Sequence, residues 1–156
     1  MRLGFLLFFT LTSKILFSQS SLDLFDISQS QIRLMKKCQN LDSITRTKIF
    51  KDSIYSPYKE FWEGYLGDGN AVAEWMNNAL QLLPKFEEKN RLINGKKLIT
   101  QFRAVEKKIK LLTGYNPKGK WYIVFGPAWT DLGGLGDFAM LIDLSHQSNS
   151  SNEKIM

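Results

Sequence analysis

The chain has 156 residues, of which 44% are hydrophobic and 23% are charged, and its formal charge is +6. One cysteine cannot form an internal disulfide or a cysteine-rich zinc site, and one histidine cannot form a two-histidine metal site within this chain. The composition indicates one ordinary globular domain and excludes a collagen-like, wholly disordered or disulfide-stapled chain.

The first twenty residues have the three-part layout of a secretory signal. Arg2 gives a positive start, residues 3–11 are almost wholly apolar, and Ser18-Gln19-Ser20 places small residues two apart, as signal peptidase prefers. The apolar stretch is much shorter than the roughly 20 residues of a membrane-spanning helix. The sequence therefore predicts export to the periplasm or the exterior after cleavage near Ser20. A buried N-terminal helix or strand is the alternative.

Cleavage also changes the charge of the chain. Removal of residues 1–20 takes away Arg2 and Lys14, which lowers the formal charge from +6 to +4. The remaining lysines fit solvated helix faces, and an exported chain rarely meets nucleic acid. We therefore expect no nucleic-acid partner, and we treat residues 21–156 as a single domain.

Helical patterns dominate from residue 46 onward, whereas residues 21–45 are ambiguous. Residues 23–27 could form an extended lead-in, and residues 32–37 fit either a short helix or a strand. Ser56-Pro57 is typical of an N-cap followed by proline at the first helical position. One apolar stripe at spacings of four, three and four predicts a helix there: Ile54, Tyr58, Phe61 and Tyr65.

The next helix is expected to follow a glycine-rich turn. Asn70 or Gly69 would cap it, and Pro84 would kink or end it. Its apolar face would consist of Val72, Trp75, Met76, Ala79, Leu82, Leu83 and Phe86.

A third helix shows the cleanest periodicity in the chain, and Gly114 is expected to end it. A basic amphipathic helix can bind a membrane surface or an acidic partner. The interpretation we favour is one face in the core and one in solvent, which makes membrane binding the minor alternative. The apolar positions are Leu98, Phe102, Val105, Ile109 and Leu112, and the basic positions around them are Lys96, Lys97, Arg103, Lys107, Lys108 and Lys110.

Two strands are predicted near the C-terminus, at residues 121–125 and 138–144, joined by a glycine-rich connection over residues 128–137. Both faces of the first strand are apolar, which predicts a strand covered on both sides. The spacing of Gly134, Gly136 and Ala139 superficially matches a dinucleotide fingerprint, but a strand follows it instead of the helix that would hold the pyrophosphate.

A few residues are candidates for a site, and each has an equally simple structural explanation. Asp131, Asp137 and Asp143 could supply carboxylates, or they could be turn residues and an edge-strand aspartate. We expect His146 to be a surface loop residue. We expect Cys38 to be a small, half-buried residue rather than a reactive thiol, since no histidine lies nearby to activate it.

The end of the chain suggests an unfinished fold. Residues 150–153 have the S-x-x-E form of a capping box, yet only three residues follow, too few for a stable helix. Two strands alone also cannot form a stable sheet. The fold class expected is therefore α+β, a helical N-terminal part followed by a short, incomplete β-sheet. A genuine short tail, with further strands hidden in residues 21–45, is the alternative.

The run GKWYIVFGPAWTDLGGLGDFAMLIDLSH resembles the region ahead of the metal site in a family of exported bacterial zinc-dependent proteases of the HExxH type. The helices before it and the signal ending in FSQS are similar to members from Bacteroidetes-type bacteria. In that family a helical part leads into two such strands, and a helix with H-E-x-x-H follows. The resemblance covers residues 45–156.

The resemblance implies a peptide or protein substrate, with a substrate-edge role for strand 138–144. It also implies that zinc is needed only if an H-E-x-x-H segment follows Met156. The chain itself has no such motif, so no catalytic, cofactor or metal residue carries over, and we expect the chain to be catalytically inert. The alternative function is a small, complete, exported binding module without enzymatic activity.

Overall fold

The computed structural model of the chain describes residues 22–116, 118–135 and 139–146. Within this part the strands are β1 (Leu22–Asp26), β2 (Gly119–Val124), β3 (Leu132–Leu135) and β4 (Ala139–Asp143). The α-helices are α1 (Ser28–Cys38), α2 (Ser43–Phe50), α3 (Lys59–Tyr65), α4 (Gly69–Ala79), α5 (Leu83–Leu92) and α6 (Gly95–Thr113). A π-helical turn (Lys51–Tyr55) and a 3-10 turn (Ser56–Tyr58) join α2 to α3, and a 3-10 turn (Leu80–Leu82) joins α4 to α5.

The strands form one mixed sheet in the order β1-β2-β4-β3. β1, β2 and β4 are parallel, and β3 pairs antiparallel with β4. Two bonds extend the parallel ladder past the strand ends, from Ile27 N–H to the Ile123 oxygen at 2.9 Å and from Leu144 N–H to the Val124 oxygen at 2.7 Å. The carboxyl ends of the three parallel strands therefore lie together at one end of the sheet, where ligand sites of such sheets are commonly found.

Helices cover both faces of the sheet. On one face, Phe125 stacks on Phe86 of α5 with ring centroids 4.4 Å apart. On the other face, Tyr122 stacks on Phe61 of α3 at 4.2 Å. All four rings are buried. This confirms the prediction that the strand starting near residue 121 is covered on both sides.

The predicted α+β class is confirmed, with the helices first and most of the strands later. β1 lies ahead of the helices, within the segment left open between residues 21 and 45. The connection predicted over residues 128–137 also contains β3. The signal segment (1–20) and the capping box (150–153) lie outside the described residues.

Two predicted helix caps are wrong. Asp68, not Asn70 or Gly69, caps α4, because its carboxylate accepts from the N–H groups of Asn70 at 2.8 Å and Ala71 at 3.0 Å. Ser56 does not cap a helix, since its hydroxyl donates to the Lys51 carbonyl at 2.9 Å. No side chain caps the turn that begins at Ser56 or α3 after it.

Helix α6 ends at Gly114 as predicted, but only its first half faces the core. Asn94 accepts from the Lys97 N–H at 3.0 Å, and Gly114 ends the helix with φ 70°. Leu98 is fully buried, whereas Leu112 is 71% exposed. The prediction of one continuous core face is therefore wrong for the second half of α6. None of the helices in the described part of the chain has both the length and the apolar character needed to cross a membrane.

Candidate functional site

Asp143 lies at the end of the sheet that is formed by the carboxyl ends of the parallel strands. It is the last residue of β4 and is fully buried. β4 lies between β2 and β3, so the explanation of Asp143 as an edge-strand aspartate is wrong. In the described sheet β3, and not β4, lies at the edge.

Both carboxylate oxygens of Asp143 are occupied. Oδ1 accepts from the N–H groups of Gly126 and Ser145, each at 2.8 Å. Oδ2 accepts from the Ala128 N–H and the Tyr65 hydroxyl, again each at 2.8 Å. A buried carboxylate needs such donors, because an unpaired buried charge is very costly. Asp143 therefore fixes the loop after β2, the turn after β4 and α3 relative to one another.

The loop after β2 fits closely around this carboxylate. A Cβ atom on Gly126 would lie 2.5 Å from Asp143 Oδ2 and 2.8 Å from the Tyr65 hydroxyl, so glycine is required there. Ala128 has φ 60°, an uncommon conformation for a residue with a side chain. The bond to Asp143 holds this strained backbone in place.

Tyr65 connects the buried carboxylate with the surface. Burial and, secondarily, the charge of Asp143 raise the pKa of Tyr65, so its hydroxyl stays protonated as a donor. Its ring packs edge-to-face against Trp129, with centroids 6.0 Å apart. Trp129 is 68% exposed. The network thus presents a large aromatic side chain to solvent from an ordered loop.

Lys89 of α5 holds the segment that follows β4. Its ammonium donates to three successive carbonyl oxygens, those of Leu144 at 3.0 Å, Ser145 at 2.8 Å and His146 at 2.9 Å. Burial lowers the pKa of Lys89, and the charge of Asp143 opposes this shift. Because all three donors are used, Lys89 acts as a clamp and not as a free cation. His146 lies half-buried in the turn that this clamp fixes.

A pocket of about 390 Å³ opens between α4, α5 and the loop after β2. Its walls are mainly apolar, and the Ser145 hydroxyl, which is shielded from solvent, has no hydrogen-bond partner among the described residues. An apolar pocket with few polar groups is the common form of a small-ligand site. The lining residues are Trp75, Leu82, Lys85, Phe86, Lys89, Gly126, Pro127, Ala128 and Ser145.

Among the described residues, β3 is an edge strand of the sheet and lies on the far side of β4 from β2. The N–H of Leu132 donates to Asp131 Oδ1 at 2.7 Å, and its carbonyl accepts from the Thr130 hydroxyl at 2.9 Å. These groups therefore point away from β4. Since antiparallel residues alternate in direction, the N–H and C=O of Gly134 point outward as well. Gly134 is exposed.

Three further sequence candidates are Asp131, Asp137 and Cys38. The carboxylate of Asp131 serves its own turn, although its carbonyl accepts from the Asp143 N–H at 3.1 Å. Asp137 lies outside the described residues. Cys38 is fully buried rather than half-buried, and burial raises the pKa of its thiol. Within the ranges that the structure describes, no group of three His, Cys, Asp or Glu side chains could hold a metal ion.

Sequence reasoning missed three residues that build the site. Gln31 is fully buried in α1, donates to the Phe125 carbonyl at 2.8 Å and accepts from the Phe125 N–H at 2.8 Å, which closes the end of β2. Tyr65 was seen only as part of an apolar stripe, and Lys89 was not distinguished from other lysines. A polar residue on the apolar side of a helix was the one available signal for Gln31.

Comparisons with protein-family models, curated proteins and solved structures found no match for this chain.

Proposed function

We propose that this chain is the non-catalytic, peptide-binding N-terminal part of an exported zinc metallopeptidase-like protein. The observation that carries the proposal is the edge strand β3, whose residue Gly134 turns its N–H and C=O outward. An extended peptide can add to such an edge through main-chain hydrogen bonds. Glycine at positions 133 and 134 leaves space for the side chains of a bound strand.

The polar network behind β3 supports a binding role. The side chains of Asp143 and Lys89 are engaged in holding loops, which orders the edge and the exposed Trp129 beside it. In this proposal the chemistry belongs to an H-E-x-x-H segment after Met156. Reading the gene beyond codon 156 tests that part: an in-frame H-E-x-x-H supports it, and a stop with no such segment downstream contradicts it.

The edge itself is tested with two substitutions at one residue. Gly134→Pro removes the outward N–H without removing a bond to β4, because proline is tolerated at edge positions whose N–H faces solvent. Gly134→Ala keeps the N–H, and its Cβ would lie at an ordinary 3.7 Å from Met140 Sδ. Binding to an array of extended hexapeptides should fall with Gly134→Pro and persist with Gly134→Ala. Equal binding by both variants would exclude main-chain pairing at β3.

Export is tested separately. The protein recovered from fractionated cells of the source organism should begin just after Ser20, since the cleavage prediction concerns residues 1–20. N-terminal sequencing measures this directly. An intact Met1 in the protein from the exported fraction would contradict cleavage.

The second candidate function is a small binding module that uses the pocket beside Ser145. The pocket volume and the unpaired hydroxyl favour an apolar ligand carrying one polar group. Indole and phenol are suitable probes, followed by amide shifts of the full chain in NMR spectra. Ser145→Leu should fill the pocket and abolish the shifts, whereas Ser53→Leu, at an exposed position, should leave them unchanged.

A further inference from the structure

The second half of α6 presents several large apolar side chains to solvent. Val105 is 43% exposed, Leu111 80%, Leu112 71% and Tyr115, just past the helix, 61%. Within α6, Val105, Lys108, Leu111 and Leu112 lie within about 120° of one another around the helix axis. Tyr115 follows directly after the end of the helix. We call this set the α6 face. It consists of Val105, Lys108, Leu111, Leu112 and Tyr115.

The charge around the α6 face is of one sign. Residues 104–116 contain Lys107, Lys108 and Lys110, and the one acidic residue among them is Glu106. Glu106 is buried and bonds to the Arg103 guanidinium at 2.9 Å. Its charge is thus neutralised within the chain. Of the three lysines on this segment, Lys108 lies within the α6 face and Lys107 next to it, whereas Lys110 lies on the far side of the helix. The segment has no exposed carboxylate.

The α6 face also lies beyond the body of the sheet. α6 runs antiparallel to β1, because Gly95 lies beside the Asp26 carboxylate and the Arg103 guanidinium donates to the Leu22 carbonyl. Leu22 pairs with Gly119 at the start of the sheet. The ten residues after Arg103 extend about 15 Å further. A surface in this position can reach a large, flat partner.

We propose that the α6 face binds an anionic phospholipid surface, with its leucines and tyrosine in the interface and its lysines on the lipid phosphates. Leu111 and Leu112 point about 100° apart around the helix, which makes the apolar surface broad and convex rather than a narrow stripe for a protein groove. A second copy of the chain is disfavoured as the occupant, because pairing two such faces would bring Lys108 and its neighbours together. Anionic lipid headgroups would instead attract the lysines of the α6 segment.

The proposal is tested by co-sedimentation of the full chain with vesicles of phosphatidylcholine, with and without phosphatidylglycerol. Binding should require the anionic lipid and should weaken in high salt. Replacing both leucines (Leu111→Ser with Leu112→Ser) should lower the partition coefficient by about tenfold or more. The triple change Lys107→Gln, Lys108→Gln, Lys110→Gln should have an effect of similar size.

Matched controls on other helices distinguish binding through the α6 face from nonspecific binding to vesicles. Ile44 in α2 is 84% exposed, so Ile44→Ser removes a similar apolar side chain elsewhere. The triple change Lys37→Gln, Lys48→Gln, Lys85→Gln removes equal charge from exposed positions on other helices. Both controls should bind vesicles like the unchanged chain. If they weaken binding as much as the α6 variants do, the α6 face is not the site.

A site-specific measurement excludes binding through residues 1–20 alone. An environment-sensitive fluorophore on Ala104→Cys, an exposed position within the arc of the α6 face, should shift to the blue on anionic vesicles, whereas the same label on Ile44→Cys should not. Cys38 is buried and will not compete for the label. An unshifted Ala104→Cys label on pelleted protein would overturn the proposal. So would a dimer in sedimentation velocity that the two-leucine variant abolishes.

Discussion

The end of the sheet around Asp143 and the second half of α6 differ in how well the local sequence predicts which residues are buried. At the end of the sheet, Asp143, whose role the sequence left open, holds three segments together through four hydrogen bonds. In α6, the most regular apolar pattern of the chain leaves Leu112 71% exposed. A periodic pattern defines which residues share a face, but only the neighbouring elements decide whether that face is buried. The first region should therefore be sensitive to substitution and the second tolerant.

The largest effect is expected from Asp143→Ala. The change leaves four buried or partly buried donors without an acceptor, and each orphaned donor costs about 1–3 kcal/mol. The free energy of unfolding in urea should fall by about 3 kcal/mol or more. Asp23→Ala, at an exposed position in β1, is the control and should change it by less than about 0.5 kcal/mol. If the free energy of unfolding falls by less than about 1 kcal/mol for Asp143→Ala, the network does not hold this end of the sheet together.

The contrast within α6 is measured by one substitution at two positions. Leu98→Ala empties space in the core, where such changes typically cost about 2–5 kcal/mol. Leu112→Ala removes an exposed side chain and should cost less than about 0.5 kcal/mol. Both variants have alanine, a strong helix former, at the changed position of α6, so helix propensity does not explain the difference. Equal losses would show that the second half of α6 is covered in solution.

These two regions also show how far the sequence could predict the structure. The strand near residue 121, β4 and the end of α6 at Gly114 depend on local signals, namely β-branched and aromatic runs and a left-handed glycine. The parallel pairing of β1 with β2 could not be predicted, because it joins residues nearly a hundred positions apart across six helices. β3 was hidden because two of its four residues are glycines, which disfavour strands.

The candidate site was harder to predict than the fold. Asp143 could be named as a candidate carboxylate, but its donors come from Tyr65 in α3 and from the loop after β2, which only the tertiary fold brings together. Lys89 acts as a clamp because β4 ends beside α5, and nothing local distinguishes it from Lys85. Side chains that connect distant backbone segments leave no periodic signal in the sequence.

A smaller effect is expected from Lys89→Met. The methionine keeps the length of the side chain but leaves three carbonyl groups without their donor. Bonds to a charged donor are worth about 1.5–3 kcal/mol, so a loss of about 2 kcal/mol in urea unfolding is expected. Lys85→Met, one helical turn away and exposed, should be nearly neutral. If both variants lose the same stability, the clamp contributes nothing beyond general surface charge.

The smallest effect, and the one most specific to the network, is expected from Tyr65→Phe. At neutral pH the loss of one hydrogen bond to Asp143 should cost about 1 kcal/mol. The pKa of Tyr65 is raised in the folded chain, so its contribution to stability is complete below the ordinary tyrosine value of 10.0 and is lost as the pH rises above it. The stability gap between the unchanged chain and the variant should therefore narrow above pH 10, since only the unchanged chain must keep this phenol protonated beside Asp143.

Burial also raises the pKa of Tyr122, but that contribution is present in both proteins and cancels in the difference. Tyr115→Phe, at a ring 61% exposed, should show no such gap at any pH. If the two proteins have the same stability at neutral pH, Tyr65 acts through its ring, which phenylalanine keeps packed against Trp129, and not through its bond to the carboxylate.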